Sequence, residues 1–247
     1  DRRGWSVDSH SGAPSTGSLG GVALTDFSMQ RSNMVESQVR PSDVTDRRLM
    51  RAMLDLPREL FLPAWGRSVA YADEDVPVSR PESGRPSRKL LAPRILAKLI
   101  QAAEIQDRDR VLDLGCATGY STAVLARLAS EVIGLEEELA LASAARVALE
   151  AVACRNARIE HGPLSQGWAA SAPYDVIIMN GSVGRTPEVL LGQLARSGRL
   201  VSVVAGPDGF GSARVHTRKG ETFSERIVFD AGAARLPGFE SEPGFVL

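Results

Sequence analysis

The chain has 247 residues, which is enough for one large α/β domain with an additional N-terminal region but not for two full domains. Its 29 basic and 30 acidic side chains nearly cancel, so the charge does not predict a protein whose main role is binding nucleic acid. Two cysteines, Cys116 and Cys154, and three scattered histidines predict neither a disulfide framework nor a metal site. Reduced cysteines, and the lack of a signal peptide or a long apolar segment, predict a cytoplasmic protein outside the membrane.

The N-terminal third of the chain divides into a tail and a cap. Residues 1–28 are rich in serine, glycine and other small polar residues and show no apolar periodicity. Such a segment cannot bury enough surface to offset the entropy lost on ordering, so we predict a flexible tail. Residues 29–92 are predicted to form a helical cap followed by an irregular, proline-rich loop. Asp46 is a candidate N-cap for a cap helix that ends before Pro57.

Residues 93–247 are predicted to form a Rossmann-like α/β domain. Short apolar strands alternate with helices, a pattern typical of a mostly parallel sheet covered on both faces. A helix over residues 187–194 and a turn at Ser197-Gly198 are predicted to lead into a strand at 199–204. Residues 213–218 and 222–229 alternate around Lys219-Gly220, which predicts an antiparallel hairpin at the sheet edge. Together the strands predict a seven-stranded sheet.

A strand followed by a turn of small residues occupies positions 111–119, Val-Leu-Asp-Leu-Gly-Cys-Ala-Thr-Gly. Glycines in such a turn let backbone amides approach a ligand closely. The N-terminus of the helix that follows favours binding of ligand groups that carry negative charge or lone pairs. Glu136 comes at the end of the next predicted strand, where a carboxylate can accept protons from both ribose hydroxyls. A ligand with a ribose is therefore expected at this turn.

Three interpretations of the turn compete. A dinucleotide site needs a further glycine three residues after Ala117, but Tyr120 stands there, and Asp113 before the turn is typical of S-adenosylmethionine sites. The pattern therefore favours S-adenosylmethionine over NAD(P), and a tight turn without a ligand is the third interpretation. The candidate cofactor contacts are Asp113, Gly115, Cys116, Ala117, Gly119, Tyr120, Glu136 and Glu137.

Methyl transfer from a sulfonium needs little acid–base chemistry, because the donor is already activated. A carboxylate acceptor is largely ionised at neutral pH and needs no general base. Asn180, at the end of a predicted strand, is a candidate to face the methyl group, although an Asn-Gly pair is also typical of a simple turn. The sequence around Asn180 lacks the Asn/Asp-Pro-Pro-aromatic pattern of many amino-group methyltransferases.

Several ordered segments resemble the protein-L-isoaspartate O-methyltransferase family, from about Met34 to the C-terminus. The similarity implies S-adenosylmethionine-dependent carboxyl methylation of a protein or peptide acceptor, with residues 29–92 supplying the cap and the acceptor loop. Nucleic acid is not an expected partner, and no oligomeric state is predicted. The matching segments are 34–40, 44–46, 56–63, 70–73, 111–120, 167–168, 173–175 and 194–201.

The chain departs from the family at three positions. The family's loop carries Gln-Thr-Ile-Ser-Gln-Pro, and alignment on Pro93 places Leu91 at its serine, which is tied to catalysis in the family. Gly162-Pro163 stands where a Gly-Asp pair normally helps to hold the adenine, and Ala117 replaces the middle glycine of the donor loop. These departures leave two other functions open: methylation of a different acceptor, and a non-catalytic module that binds S-adenosylmethionine.

The loop before the α/β domain is basic. Between Arg80 and Lys98 the chain has six basic residues and one acid, Glu82. This charge predicts either a solvated loop or a cationic mouth for an acidic acceptor. Arg88 and Lys89 are the candidates for contact with that acceptor.

Overall fold

The computed structural model describes residues 26–81, 87–206 and 210–239. The predicted tail over residues 1–28 lies outside this part, except for its last three residues. Helix α1 begins at Ser28. The segment predicted as a tail therefore ends inside an ordered helix.

The described strands β3 to β9 form one sheet in the order β5-β4-β3-β6-β7-β8-β9. Strands β3 to β7 are parallel to one another, and β8 and β9 are antiparallel additions at one edge. This confirms the predicted fold class. The bounds are β3 Arg110–Leu114, β4 Glu131–Glu136, β5 Ala157–His161, β6 Tyr174–Val183, β7 Leu194–Ala205, β8 Phe210–Lys219 and β9 Thr222–Gly232.

Both faces of the sheet are buried, as the apolar strands predict. Val111 and Ile178 pack into one cluster with the helices α3, α4 and α5, whereas Leu112 and Ile177 pack into a second cluster on the opposite face. Alternate residues of a strand point to opposite faces, so each strand contributes to both clusters. The helices are α3 Pro93–Ala102, α4 Tyr120–Ala126, α5 Leu139–Ala151 and α6 Glu188–Leu191.

The N-terminal cap packs on the same core as α3 and α4. Helix α1 covers Ser28–Met34 and continues as a π-helical turn, and α2 covers Arg47–Asp55. The Asp46 side chain accepts hydrogen bonds from the amides of Arg48 and Leu49, so the predicted N-cap is confirmed. Short 3₁₀ turns and a two-residue ladder, β1 Val76–Pro77 with β2 Lys89–Leu90, follow the helices.

The region after β6 differs from the sequence-based prediction. Helix α6 covers only Glu188–Leu191, and β7 begins at Leu194 and continues through Ser197-Gly198, so the longer helix and the turn were wrong. The register shifts between Tyr174 and Val176 of β6, which accommodates the extra residues of β7 as a bulge. A Cβ at Gly198 would lie 2.8 Å from the carbonyl oxygen of Tyr174, so the glycine serves close strand approach.

The C-terminal hairpin is confirmed. Strands β8 and β9 pair along their whole length, and Gly220 takes a positive φ of 65° at the turn. After β9 the chain returns to the carboxyl end of β6, where the amide of Leu236 donates to the carbonyl oxygen of Ser182 at 2.9 Å. Within the described ranges, no helix combines the length and apolar character needed to cross a membrane.

Candidate active site

The loop between β3 and α4 has the backbone that its small residues predict. Gly115, Ala117 and Gly119 have φ values of 75°, 51° and 91°. Such conformations favour glycine, so Ala117 adopts an uncommon one for a residue with a side chain. A Cβ at Gly119 would lie 3.1 Å from Cβ of Ala145, which shows how closely α5 approaches this turn.

Glu136 lies beside this loop because β3 and β4 are parallel neighbours. Leu114 pairs with Leu135, so the residue after each lies at the same sheet edge. The fully buried Glu136 carboxylate accepts hydrogen bonds from the amides of Ala117 at 2.8 Å and Glu137 at 2.9 Å. Glu136, which the sequence predicts to bind the ribose, is thus in direct contact with the loop that is predicted to bind the methyl donor.

Arg88 forms a buried ion pair with Glu136. Its Nη2 lies 3.0 Å from Oε2 of Glu136 and donates to the carbonyl oxygen of Gly115 at 3.1 Å. The two side chains are 5% and 0% exposed. Arg88 is therefore neither a solvated loop residue nor a cation facing outward, which are the two arrangements that the basic loop predicted.

Two other basic residues of this region are also engaged. Arg94 pairs with Asp73 at the surface, and Nζ of Lys98 lies 4.3 Å from the centre of the Phe229 ring. Lys89, in β2, is half-buried and lies at the small cavity beside the loop. Of the two predicted acceptor contacts, Arg88 and Lys89, Lys89 is therefore the one whose charge is available to an acceptor.

Asp113 is fully buried and bonded within the protein. The hydroxyls of Ser121 and Thr122 donate to its Oδ2 at 2.7 and 2.6 Å, and Nδ2 of Asn180 donates to its Oδ1. Burial raises the pKa of Asp113 to about 6, although these donors act in the opposite direction. Asn180 lies within β6, where the pairing register with β7 shifts, and not in the simple turn that an Asn-Gly pair also predicts.

Tyr120 packs beneath the cap. Its ring meets Phe61 edge-on at 5.5 Å, and the guanidinium of Arg58 lies 4.7 Å above it. Arg58 is fully buried and donates to the carbonyl oxygens of Ala70 at 2.7 Å and Leu91 at 2.9 Å. Arg58 lies in one of the matching segments, but no local sequence pattern indicates a role for it.

Two leucines cover the loop. Leu91, at the position of the family's serine, is buried, and Leu236 from the C-terminal segment is fully buried. A Cβ at Gly115 would lie 2.8 Å from Cδ2 of Leu236 and 3.2 Å from Nη2 of Arg88. The cavity beside the loop amounts to about 10 Å³. That is below the usual range of ligand pockets, roughly 300–1,000 Å³.

The other predicted cofactor contacts, Cys116 and Glu137, lie close to Glu136 and the loop after β3. Burial raises the pKa of the Cys116 thiol, so it packs as an uncharged side chain. The carbonyl oxygen of Glu137 lies 3.0 Å from Nε2 of His161. Gly162, from the altered Gly-Pro pair, donates its amide to the carbonyl oxygen of Glu136. Over the described ranges, no three histidine, cysteine or acidic residues come together in a group that could hold a metal ion.

The comparisons with known proteins agree with one another. The model of the family "Protein-L-isoaspartate(D-aspartate) O-methyltransferase (PCMT)" matches residues 29–228. A protein-L-isoaspartate O-methyltransferase of Koribacter versatilis is 36% identical over 185 residues, 75% of this chain and 81% of the relative. Protein-L-isoaspartate O-methyltransferase 1 of Rhodopseudomonas palustris is 38% identical, over 73% of this chain and 71% of the relative.

Solved structures show the same fold. A protein-L-isoaspartate O-methyltransferase superposes with a TM-score of 0.74 at 22% identity, over 84% of this chain and 66% of that one. A structure from Plasmodium falciparum, described as a protein-L-isoaspartate O-methyltransferase in complex with S-adenosyl-L-homocysteine, gives a TM-score of 0.66 at 19% identity. The match covers 85% of this chain and 98% of the Plasmodium falciparum chain.

Proposed function

Because the chain belongs to the protein-L-isoaspartate (D-aspartate) O-methyltransferase family, whose members are S-adenosylmethionine-dependent methyltransferases, we propose that it methylates a side-chain carboxylate of a protein or peptide. The observation that carries this proposal is the contact between the buried carboxylate of Glu136 and the amide of Ala117. The contact supports a donor site at this loop, because Glu136 is the proposed acceptor for the ribose hydroxyls and lies directly against the loop backbone.

The residues present fit the donor. Gly115 keeps the loop free of a side chain at the point that Leu236 and Arg88 cover in this structure, and Glu136 is the proposed partner of the ribose hydroxyls. Glu137, after the end of β4, is the proposed neighbour of the adenine. Asp113 acts indirectly: by binding Ser121, Thr122 and Asn180 it fixes the end of β3, the start of α4 and β6 relative to one another. Bound there, S-adenosylmethionine would supply an activated methyl group.

The acceptor side needs alignment rather than proton transfer. An ionised carboxylate attacks without a general base, so the protein has to orient it and exclude water. Leu90 and Leu91 supply apolar, buried surface next to the loop, and Lys89 supplies a cation at the same cavity. We propose that Lys89 attracts the acceptor carboxylate and that the leucines exclude water.

Isoaspartyl peptide is the proposed acceptor, by membership of the family, and its methylation is expected to be slow. Leu91 offers no hydroxyl where the family has serine, and loss of one preorganised donor typically lowers a rate by ~10²–10³. A different acceptor and a non-catalytic donor-binding module are the rival functions. We place the activity in the cytoplasm, since neither Cys116 nor Cys154 forms a disulfide.

Transfer of a labelled methyl group tests the proposal. Two peptides of one sequence, with isoaspartate or aspartate at a single position, are incubated with the protein and labelled S-adenosylmethionine. We expect base-labile label, released as methanol, in the isoaspartyl peptide alone. Donor binding without label in either peptide would favour the binding module. Label that resists base would indicate an acceptor other than a carboxylate.

A further inference from the structure

The carboxylate of Glu136 has more donors than it can fully accommodate. Oε2 accepts from the amide of Ala117 and from Nη2 of Arg88. Oε1 accepts from the amides of Glu137 and Glu138, at 2.9 and 3.2 Å, and more weakly from Nε of Arg88 at 3.5 Å. A carboxylate offers about four lone-pair sites. Five donors around it leave no site for a ribose hydroxyl.

Only Arg88, which supplies two of these five donors, is free to leave. The amides of Ala117, Glu137 and Glu138 belong to the donor loop and to the turn that starts α5, so the backbone fixes their positions. Arg88 reaches Glu136 through a flexible side chain, which can rotate while its own backbone stays in place. Once Arg88 withdraws, three amide donors remain, and about one of the four sites of the Glu136 carboxylate becomes free for a ribose hydroxyl.

Arg88 also fills the space above the loop. Its Nη2 would lie 3.2 Å from a Cβ at Gly115, so the guanidinium occupies the opening that the glycine creates. It also donates to the carbonyl oxygen of Gly115. A ligand that lies against this glycine meets the guanidinium as well as Leu236, whose Cδ2 is closer at 2.8 Å. The competition is thus for volume as well as for the carboxylate.

The backbone of Arg88 is bonded to Val78 and Ser79 at the end of a short ladder. The amide of Arg88 donates to Oγ of Ser79 at 2.8 Å, and its carbonyl oxygen accepts from the amides of Val78 at 2.8 Å and Ser79 at 3.5 Å. Among the residues that the structure describes, the ladder beside it contains only the pairs Val76 with Leu90 and Pro77 with Lys89. Segments with few such bonds open at low free-energy cost. Withdrawal of Arg88 does not require the sheet to change.

We propose that Arg88 determines donor affinity by competing with the ribose of S-adenosylmethionine for Glu136. This inference rests on the proposed donor site. In the free protein, Arg88 neutralises a buried carboxylate, and each donor molecule that binds has to replace this ion pair. The affinity for the donor is therefore lower than it would be without Arg88. The reason is that the free energy of the Arg88–Glu136 ion pair is lost when the ribose binds Glu136.

Calorimetric titration with S-adenosyl-L-homocysteine tests the competition in the wild type and in Arg88→Gln. The variant lacks the cation, so its buried Glu136 gains more from the ribose hydroxyls. We expect the Kd to fall by about tenfold or more, on the scale of a hydrogen bond to a charged group. Arg88→Lys, which keeps the charge, should stay closer to the wild type. Arg94→Gln, which removes an exposed arginine paired with Asp73, is the matched control and should not change the Kd.

The melting temperature gives a second measurement that does not depend on turnover. Free Arg88→Gln should melt below the wild type, because its Glu136 lacks a cation, and saturating ligand should reduce that difference. Equal or weaker binding by a folded Arg88→Gln would overturn the competition while leaving the donor site in place. Absence of binding in both proteins at millimolar ligand would overturn the proposed function itself.

Discussion

The guanidinium of Arg58 donates a 2.9 Å hydrogen bond to the carbonyl oxygen of Leu91, so a fully buried arginine holds the loop at the position of the family's serine. Its Nε donates to the carbonyl oxygen of Ala70 at 2.7 Å. One side chain thus joins the 3₁₀ turns of the cap to the loop before α3. Burial lowers the pKa of this guanidinium, although the nearby ring of Tyr120 favours the charged form.

Replacement of Arg58 is therefore expected to destabilise the protein. Arg58→Ala leaves two buried carbonyl oxygens without their donor and should lower the free energy of unfolding by about 3 kcal/mol. Urea unfolding followed by circular dichroism measures the change. Arg51→Ala is the control, because Arg51 forms an exposed pair with Asp55. That variant should stay within about 0.5 kcal/mol of the wild type. Equal effects of the two substitutions would show that Arg58 does not hold the loop.

The pKa of Asp113 gives the stability a definite pH dependence. Burial raises this pKa to about 6, whereas an aspartate in the unfolded chain titrates near 3.9. Between these values the native state binds more protons than the unfolded state. The contribution of Asp113 is therefore present below about pH 4 and is lost as the pH rises to about 6.

Asp113→Asn, which stays neutral, isolates this contribution. The free energy of unfolding of the wild type, minus that of the variant, should fall by about 2 kcal/mol from pH 4 to pH 7. Carbon NMR of the Asp113 carboxyl group measures the pKa directly, and we expect a midpoint near 6. A midpoint below 4 would mean that the hydroxyls of Ser121 and Thr122 outweigh the effect of burial.

A double-mutant cycle separates the two interactions of Glu136. In the Arg88→Gln background, Glu136→Gln should weaken binding of S-adenosyl-L-homocysteine by about 1.5–3 kcal/mol. In the wild-type background the same substitution should cost less, because it also removes the ion pair that the ligand has to replace. Titration calorimetry of the four proteins gives the coupling. Equal costs in both backgrounds would contradict a shared carboxylate.

The position of Leu91 gives a prediction about activity. Leu91→Ser restores a hydroxyl, but Arg88, Lys89 and Ala92 around it still differ from the family's loop. A reacting group displaced by ~1 Å can lose about 10²-fold in rate, so this single substitution should raise turnover only slightly. Steady-state methylation of an isoaspartyl peptide measures it. A gain of ~10²-fold or more would show that the hydroxyl alone was missing.

The parts of the fold that local sequence determines were predicted well. Asp46 caps its helix because the carboxylate reaches amides two and three residues away, and this signal lies within one turn. Glu136 lies at the loop because two adjacent parallel strands end together, which their apolar runs and the intervening helix indicate. The helix predicted over 187–194 is present but ends at Leu191, because pairing with Tyr174 draws Leu194 into β7.

The contacts that close the site could not be predicted from local patterns. Arg88 and Glu136 are 48 residues apart, and the basic loop around Arg88 indicated only charge. Leu236 reaches the donor loop after the chain has crossed the whole sheet and returned beside Ser182. Arg58 stands in a matching segment, but its two carbonyl partners are set by the fold of the cap. In each case the partner depends on tertiary structure.

The most direct test of carboxyl methylation is the turnover number of the wild type on an isoaspartyl peptide at saturating S-adenosylmethionine. The aspartyl peptide of the same sequence gives the background. Because Leu91 lacks the hydroxyl, we expect about 0.01–0.1 s⁻¹, which is ~10²–10³ below an ordinary enzyme rate of about 10 s⁻¹. A rate of about 1 s⁻¹ or more would contradict the role assigned to Leu91. Transfer no faster than to the aspartyl peptide, in a protein that binds the donor, would contradict carboxyl methylation of isoaspartate.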